Sequence, residues 1–275
     1  MGDGSAGNPP AAVAGSSRSS PRRPPASRAK TLPATVLLDL DDTLFDHSLS
    51  CRAALARVRA REKVLRSRDL DSIWSEYLAS LELLWGDVLA GRLGHEESRT
   101  ERFRRIVAFC GGSATRKDAE RLAAAYRRYY AAERRLIPGA RALLERLHGR
   151  AVVTVVTNSM VAEQEEKLDH FGLRPLVDHL VVSEGVGASK PQPEIFSIAL
   201  DLSRAGPEEA VMFGDSWTND VLGARAAGIR AVWFNRFERA NPEPDVVPEV
   251  RSLRPTPRVE RALSRAPPRV RSARK

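Results

Sequence analysis

The chain has 275 residues, 42% of them apolar, a formal charge of +9 and two cysteines. That length suits one to two domains with a full core, and two cysteines (Cys51 and Cys110) fit reduced thiols, excluding a disulfide scaffold. No apolar run approaches the ~20 residues of a membrane span and the N-terminus lacks a signal-type apolar stretch, so a cytoplasmic location is expected.

The positive charge sits at the ends. Residues 1–33 carry Arg18, Arg22, Arg23, Arg28 and Lys30 against Asp3, a net +4. Residues 248–275 carry nine basic residues against Glu249 and Glu260, a net +7, which leaves the body near −2. Both ends are rich in Pro, Ser, Ala and Arg without apolar periodicity, so both are expected to be disordered tails. Such tails can bind nucleic acid or an anionic surface; solvated low-complexity extensions explain the composition equally well.

In chain order, Val36-Leu37-Leu38 reads as a strand buried on both faces, followed by Asp39-Leu40-Asp41-Asp42-Thr43. An insert over residues 46–135 then reads as a four-helix bundle. Its first helix lies near 50–65, and Leu70, Ile73, Trp74, Tyr77, Leu78, Leu81, Leu84, Trp85, Val88 and Leu89 follow helical spacing for five turns. Phe103, Ile106, Val107 and Cys110 make a shorter stripe, and Leu122, Ala125, Tyr126, Tyr129 and Tyr130 another. These stripes are expected to be bundle core.

Scaffold resumes at residue 136. A helix over 138–148 leads to the strand Val152–Val156 and then Thr157-Asn158. A helix over 159–171, closed by Gly172, leads to the strand Leu180-Val181-Val182 and on to Ser189-Lys190-Pro191. A helix over 191–202 precedes the strand Ala210–Phe213, which runs into Gly214-Asp215 with Asp220 beyond; a helix over 218–227 and a strand over 231–234 follow, with the core ending near 247. The fold class is therefore α/β, a doubly wound parallel sheet with helices on both faces.

In such a sheet the ligand lies outside the carboxyl ends of the strands, so the four polar groups meet at one edge. Asp39 and Asp215 are hard oxygen ligands suited to Mg²⁺. Lys190 adds a fixed cation and Thr157 a hydroxyl, which together can neutralise a transferring phosphoryl group. An Asp can also be the nucleophile, and a second one two residues on, projecting to the same side of a strand, can be general acid and base. Taken singly, each group has a plainer explanation: a solvated turn at 41–42, a surface lysine at 190, helix caps at 157 and 215. None of these explains all four at successive strand ends.

Asp39-x-Asp41-x-Thr43, Thr157, Lys190 and Gly214-Asp215 with Asp220 resemble, in that order, the four motifs of the haloacid dehalogenase-like (HAD) hydrolases, specifically phosphatases with a helical cap inserted after the first motif. The resemblance spans roughly residues 34–237. It implies that Asp39 attacks phosphorus and that Asp41 protonates the leaving oxygen and then activates water. It implies Mg²⁺ held by Asp39, the Asp41 carbonyl and Asp215, with Asp220 behind them and Lys190 offsetting charge. It also implies that the first-motif strand lies between the second- and fourth-motif strands.

Phosphate and substrate contacts are expected from Thr157, Asn158 and Lys190, and from Asp46 and His47 just past the first motif. The insert, returning before Pro138-Gly139, would act as a lid with Trp85 and Arg92 among its selecting residues. The expected activity is hydrolysis of a small phosphomonoester, a sugar phosphate or a nucleoside monophosphate. A phosphomutase of the same fold and a regulator acting through its tails stay open. A dehalogenase is disfavoured, because the dehalogenases this fold resembles lack the acid that stands at Asp41.

Overall fold

The computed structural model describes residues 32–264. The first strand, β1 (Thr35–Leu38), is buried along its whole length. Four helices follow: α1 (His47–Arg61), α2 (Leu70–Leu89), α3 (His95–Phe109) and α4 (Arg116–Glu133). The chain continues through α5 (Ala140–Leu147), β2 (Val152–Thr157), α6 (Val161–His170), β3 (His179–Val182), the single turn α7 (Ser183–Val186) and α8 (Pro193–Ser203). It then forms β4 (Ala210–Gly214), a π-type turn at Trp217–Leu222, α9 (Gly223–Ala226), β5 (Arg230–Phe234), β6 (Glu249–Val250) and α10 (Thr256–Leu263).

Among the described residues the six strands are all parallel, in the order β3-β2-β1-β4-β5-β6. The strands step outward from β1 to β3, then resume on the other side of β1 at β4. That reversal puts the ligand crevice at the carboxyl end of β1, where Leu38 aligns with Val155 of β2 and Phe213 of β4. Apolar helix faces cover both sides of the sheet. Leu143, Leu144 and Leu147 of α5 pack on one side, and Ile195, Phe196 and Ala199 of α8 on the other.

The helices of the insert have a core of their own around Leu55, Ile73, Phe103, Ile106, Leu122 and Tyr126. Asp69 caps α2 by accepting from the Ser72 amide, and Thr115 with Asp118 forms a reciprocal cap on α4, each cap worth about 1 kcal/mol. The long stripe of α2 divides, which corrects its reading as bundle core throughout. Ile73 and Tyr77 are buried there, whereas Leu78 is 42% exposed and, with Leu81 and Trp85, lines a cavity.

A second correction concerns residues 248–275. Up to residue 264 this segment is folded: β6 closes the sheet and α10 packs beneath it, with Val250, Leu253, Val259 and Leu263 buried in the main core. Each fully buried side chain of this size stabilises by roughly 1.5–3 kcal/mol. Glu260 accepts from Arg146 Nε at 2.9 Å and from Arg150 Nη2 at 2.6 Å, tying α10 to the α5 region. Four anchors spread among arginines and prolines hardly change the average composition, yet they suffice to dock a strand end and a helix. The disorder expected of residues 1–31 and 265–275 lies outside the described residues. Among those described, no helix is long and apolar enough to cross a membrane.

Candidate active site

The Asp39 amide donates to the Phe213 carbonyl at 3.0 Å, extending the β1–β4 ladder by one residue. The backbone then turns, with the amides of Leu44 and Phe45 both donating to the Leu40 carbonyl at 2.9 Å. Asp42 holds the turn at φ 63°, accepting from the Ser48 amide at 2.9 Å and pairing with Arg236 Nη1 at 3.3 Å. Asp41 therefore lies beyond the end of β1, in an isolated bridge to Phe45 that flanks the turn, and strand alternation does not set its direction.

Asp39 is 5% exposed and Lys190 equally buried. Lys190 Nζ donates to Asp39 Oδ1 and Asp220 Oδ1, both at 2.7 Å. Asp220 Oδ2 accepts from the Ser216 amide at 2.9 Å, so both of its oxygens are engaged. Asp39 Oδ2, in contrast, is buried without a hydrogen-bond partner. The Asp215 amide donates to Thr43 Oγ1 at 3.1 Å, which joins the first motif to the fourth. Gly214 is required here because a Cβ would stand 2.3 Å from Asp220 Oδ2.

Carboxylate oxygens of Asp39, Asp215 and Asp220 lie within 4.8 Å of one another. Burial pushes Asp39 up to about 7 against the pull of Lys190, with the Asp220 charge adding to the rise. Asp215 is raised by burial and then by Asp39 and Asp220. Crowded, buried anionic oxygens suit a hard divalent cation, which would relieve both the repulsion and the desolvation. Asp220, saturated by Lys190 and Ser216, is left as a support behind Asp39 and Asp215.

Asp41 is held from the other side. Lys167 Nζ donates to its two oxygens at 2.7 and 3.0 Å, and Gln164 Nε2 donates at 2.9 Å. Burial favours the neutral acid, but Lys167 and then His47 outweigh it and bring Asp41 down to about 2. Lys167 and Gln164, from the first turns of α6, escape a reading of the sequence. In Glu163-Gln164-Glu165-Glu166-Lys167 the lysine looks like part of a solvated charge run. The available signal was their i, i+3 spacing on a helix that starts just past Thr157.

The remaining expected residues divide. Thr157 is 1% exposed at the end of β2, its hydroxyl accepting from Gln164 Nε2 at 3.3 Å. The Asn158 side chain is taken up by the Lys190 backbone, donating to its carbonyl and accepting from its amide, each at 2.8 Å. These bonds hold the lysine backbone in place, while Asn158 itself also lines the cavity. His47 lines the cavity with its Nδ1 2.8 Å from the Tyr130 hydroxyl and 3.7 Å from Asp41. Asp46 is 4% exposed and paired with Arg236 Nη2 at 2.9 Å, away from the cavity. Arg92 is exposed and pairs with Asp87 at 2.6 Å. Neither Asp46 nor Arg92 is among the residues that line the cavity.

The cavity, about 720 Å³, is bounded by α2, α3 and α4 on one side and by Asp41, Asn158 and Lys167 on the other. Its walls include Trp85 and Tyr130 as well as Arg99 and Arg102.

Residues 33–228 match the model of the haloacid dehalogenase-like hydrolase family. The chain is 36% identical over 242 residues to the phosphoserine phosphatase of Thermus thermophilus, covering 78% of this chain and 94% of that one. It is 30% identical to the pyrimidine 5'-nucleotidase PynA of Streptococcus pneumoniae, over 75% of this chain and 85% of that protein. A glyceraldehyde 3-phosphate phosphatase of Pyrococcus furiosus is 31% identical, over 72% of this chain and 79% of its own. Among solved structures, the HAD-hydrolase YfnB from Bacillus subtilis, bound to magnesium, superposes with a TM-score of 0.66 at 27% identity, covering 84% of this chain and 99% of that one. The chain belongs to the haloacid dehalogenase-like hydrolases and is an enzyme of that family, similar to members that act as phosphatases on phosphorylated substrates.

Proposed function

We propose that the enzyme is a Mg²⁺-dependent phosphatase that hydrolyses a small phosphomonoester, in the size range of sugar phosphates and nucleoside monophosphates, through an aspartyl-phosphate. One observation carries the reading: Asp39 has one oxygen held by Lys190 and the other buried and without a partner. A nucleophile needs that arrangement, oriented yet with a free lone pair.

In this reading Asp39 attacks phosphorus, and the released alkoxide takes a proton from Asp41. The incoming phosphoryl dianion raises the proton affinity of Asp41 against the pull of Lys167, so the acid can be loaded when substrate binds. Once the alcohol has left, the Asp41 carboxylate, again favoured by Lys167, removes a proton from water as that water attacks the phosphoenzyme. Lys190 offsets charge on Asp39 and the phosphoryl oxygens, and Thr157 donates its hydroxyl to one of them. Asp39, Asp215 and the Asp41 carbonyl would hold Mg²⁺, which when bound supplies positive charge at the phosphoryl oxygens. The helices α1–α4 act as the lid, in keeping with the cavity they share with the strand ends and with the interdomain movement described for the Bacillus subtilis relative.

The test is a panel of phosphorylated sugars, nucleotides and glycolytic acids assayed with Mg²⁺ and with EDTA. Turnover should require the metal and be abolished in Asp39→Asn. Phosphatase activity within tenfold of wild type in that variant would overturn the assignment.

A further inference from the structure

The cations of the cavity wall are satisfied very unequally. Arg99 pairs with Glu96 at 2.8 Å and reaches Glu163 at 3.7 Å. Arg134 pairs with Glu166 at 3.1 Å, and Lys167 is held by Asp41 and Glu163. Arg102 is as buried as Arg99, at 7% exposure, yet no carboxylate among the described residues lies within ion-pair distance of it. Its guanidinium donates through Nη1 to the Tyr77 hydroxyl at 2.7 Å and through Nε to the Ser98 carbonyl at 3.4 Å, both neutral. Nη2 has no partner among the described residues. It is also absent from the fully enclosed polar atoms that lack one, so it opens onto the cavity that Arg102 lines.

Removing a charged guanidinium from water is costly unless an anion compensates it. Arg102 is nevertheless held firmly. It lies over the Tyr77 ring, 4.8 Å from the centroid, and the Tyr77 hydroxyl donates onward to Tyr126 at 3.0 Å. Tyr77 in turn stacks on Trp74 with centroids 5.8 Å apart. A fixed guanidinium with its Nη2 donor unused beside a cavity can receive one oxygen of a planar or tetrahedral oxyanion. Asp41 and Arg102 line the same cavity, so a molecule placed with its leaving-group oxygen at Asp41 has room to present a further group to Arg102.

We infer that Arg102 is a specificity residue and that the alcohol released by the enzyme carries a second anionic group, a carboxylate or a second phosphate, received by Arg102 Nη2. The inference rests on the phosphatase reading and narrows it. Among small phosphomonoesters, those whose leaving group is neutral would leave Arg102 uncompensated.

The test uses the full chain with Mg²⁺ and matched substrate pairs. O-Phosphoserine against O-phosphoethanolamine isolates a carboxylate, and fructose 1,6-bisphosphate against fructose 6-phosphate isolates a second phosphate. p-Nitrophenyl phosphate reports the chemistry alone. The wild type should favour the anion-bearing member of at least one pair by about tenfold or more in kcat/KM, the size expected of one charge-assisted hydrogen bond. The pair that shows the effect identifies the anion. In Arg102→Gln, which keeps a donor for Tyr77, that ratio should fall toward one, mainly through KM. Arg102→Lys should restore part of it, and both variants should melt near the wild-type temperature.

Hydrolysis of p-nitrophenyl phosphate with no preference in either pair would overturn the inference and leave the phosphatase reading intact. A preference that survives Arg102→Gln would overturn it too, marking Arg102 as a support for Tyr77. Absence of any Mg²⁺-dependent hydrolysis would remove the phosphatase reading and this inference together.

Discussion

The strand-end cluster and the cavity wall face each other and are built on opposite terms. At the strand ends the charged groups are tied to one another and to the backbone, with Asp39 Oδ2 left open: Lys190 bridges Asp39 and Asp220, Asn158 clasps the Lys190 backbone, and Thr43 receives the Asp215 amide. Across the cavity, Leu78 stays 42% exposed and Arg102 lacks a counter-charge. The contrast separates two demands. Phosphoryl chemistry needs groups preorganised before substrate arrives, so their partners come from the protein. Selection of a leaving group needs surface and charge left unsatisfied until the substrate supplies them.

The comparison breaks first at Asp39. Asp39→Asn should lower kcat on every substrate by on the order of 10³-fold or more while the melting curve stays close to wild type. A loss of folding instead would mean that the cluster is a structural ion-pair network. Asp41→Asn should also lose turnover, and acid-quenched enzyme should retain labelled phosphate because water is no longer activated.

Lys167 tests how firmly the supports of the cluster hold its charges. In Lys167→Met the Asp41 carboxylate keeps Gln164 and His47 but loses its ammonium partner, at an expected cost of about 3 kcal/mol near neutral pH. The pH dependence has a definite sign. Asp41 is depressed from its ordinary 3.8 to about 2 in the folded enzyme. Its stabilising contribution, about 2 kcal/mol, is therefore complete above pH 4 and lost as the pH falls toward 2. Urea midpoints between pH 5 and 2 should show that acid arm in the wild type and a flatter one in Lys167→Met. Superimposable profiles would show that Lys167 does not set the charge of Asp41.

Smaller effects are expected across the cavity. Trp85→Ala should reorder substrate preference by several-fold, read as ratios of kcat/KM over the panel. An equal loss on all substrates would place Trp85 in the fold of α2 instead. The smallest effect is expected at Arg92, whose pair with Asp87 is exposed. Arg92→Ala should shift stability by less than about 1 kcal/mol and leave the order of preference unchanged.

How much of the molecule is legible in its sequence differs between regions for physical reasons. The apolar runs at 36–38, 152–156, 180–182 and 210–213 form β1 to β4 in a parallel sheet, with β1 between β2 and β4 as the family resemblance implied. Such runs are local: a strand buried on both faces must be apolar throughout, and a polar motif right after it must fall at the strand's carboxyl end. The insert's helices were legible on the same ground, through a period that repeats over several turns.

What lay beyond the sequence depends on which surfaces meet. Leu78 and Trp85 share the periodicity of Ile73 and Tyr77, but whether a stripe faces its own bundle or a cavity depends on where the neighbouring helices end. Lys167 and Arg102 look like ordinary helix charges until folding buries both and gives only one a carboxylate. Asp46 and Asn158 sit beside the motifs in sequence, yet Arg236 and the Lys190 backbone claim them from 190 and 32 residues away. Val250, Leu253, Val259 and Leu263 are too sparse to register against the arginines around them, and they matter because the edge of β5 and the face of α5 are there to receive them. Local pattern encodes which residues can be buried; which charges are neutralised, and by whom, is settled only when distant parts of the chain pack together.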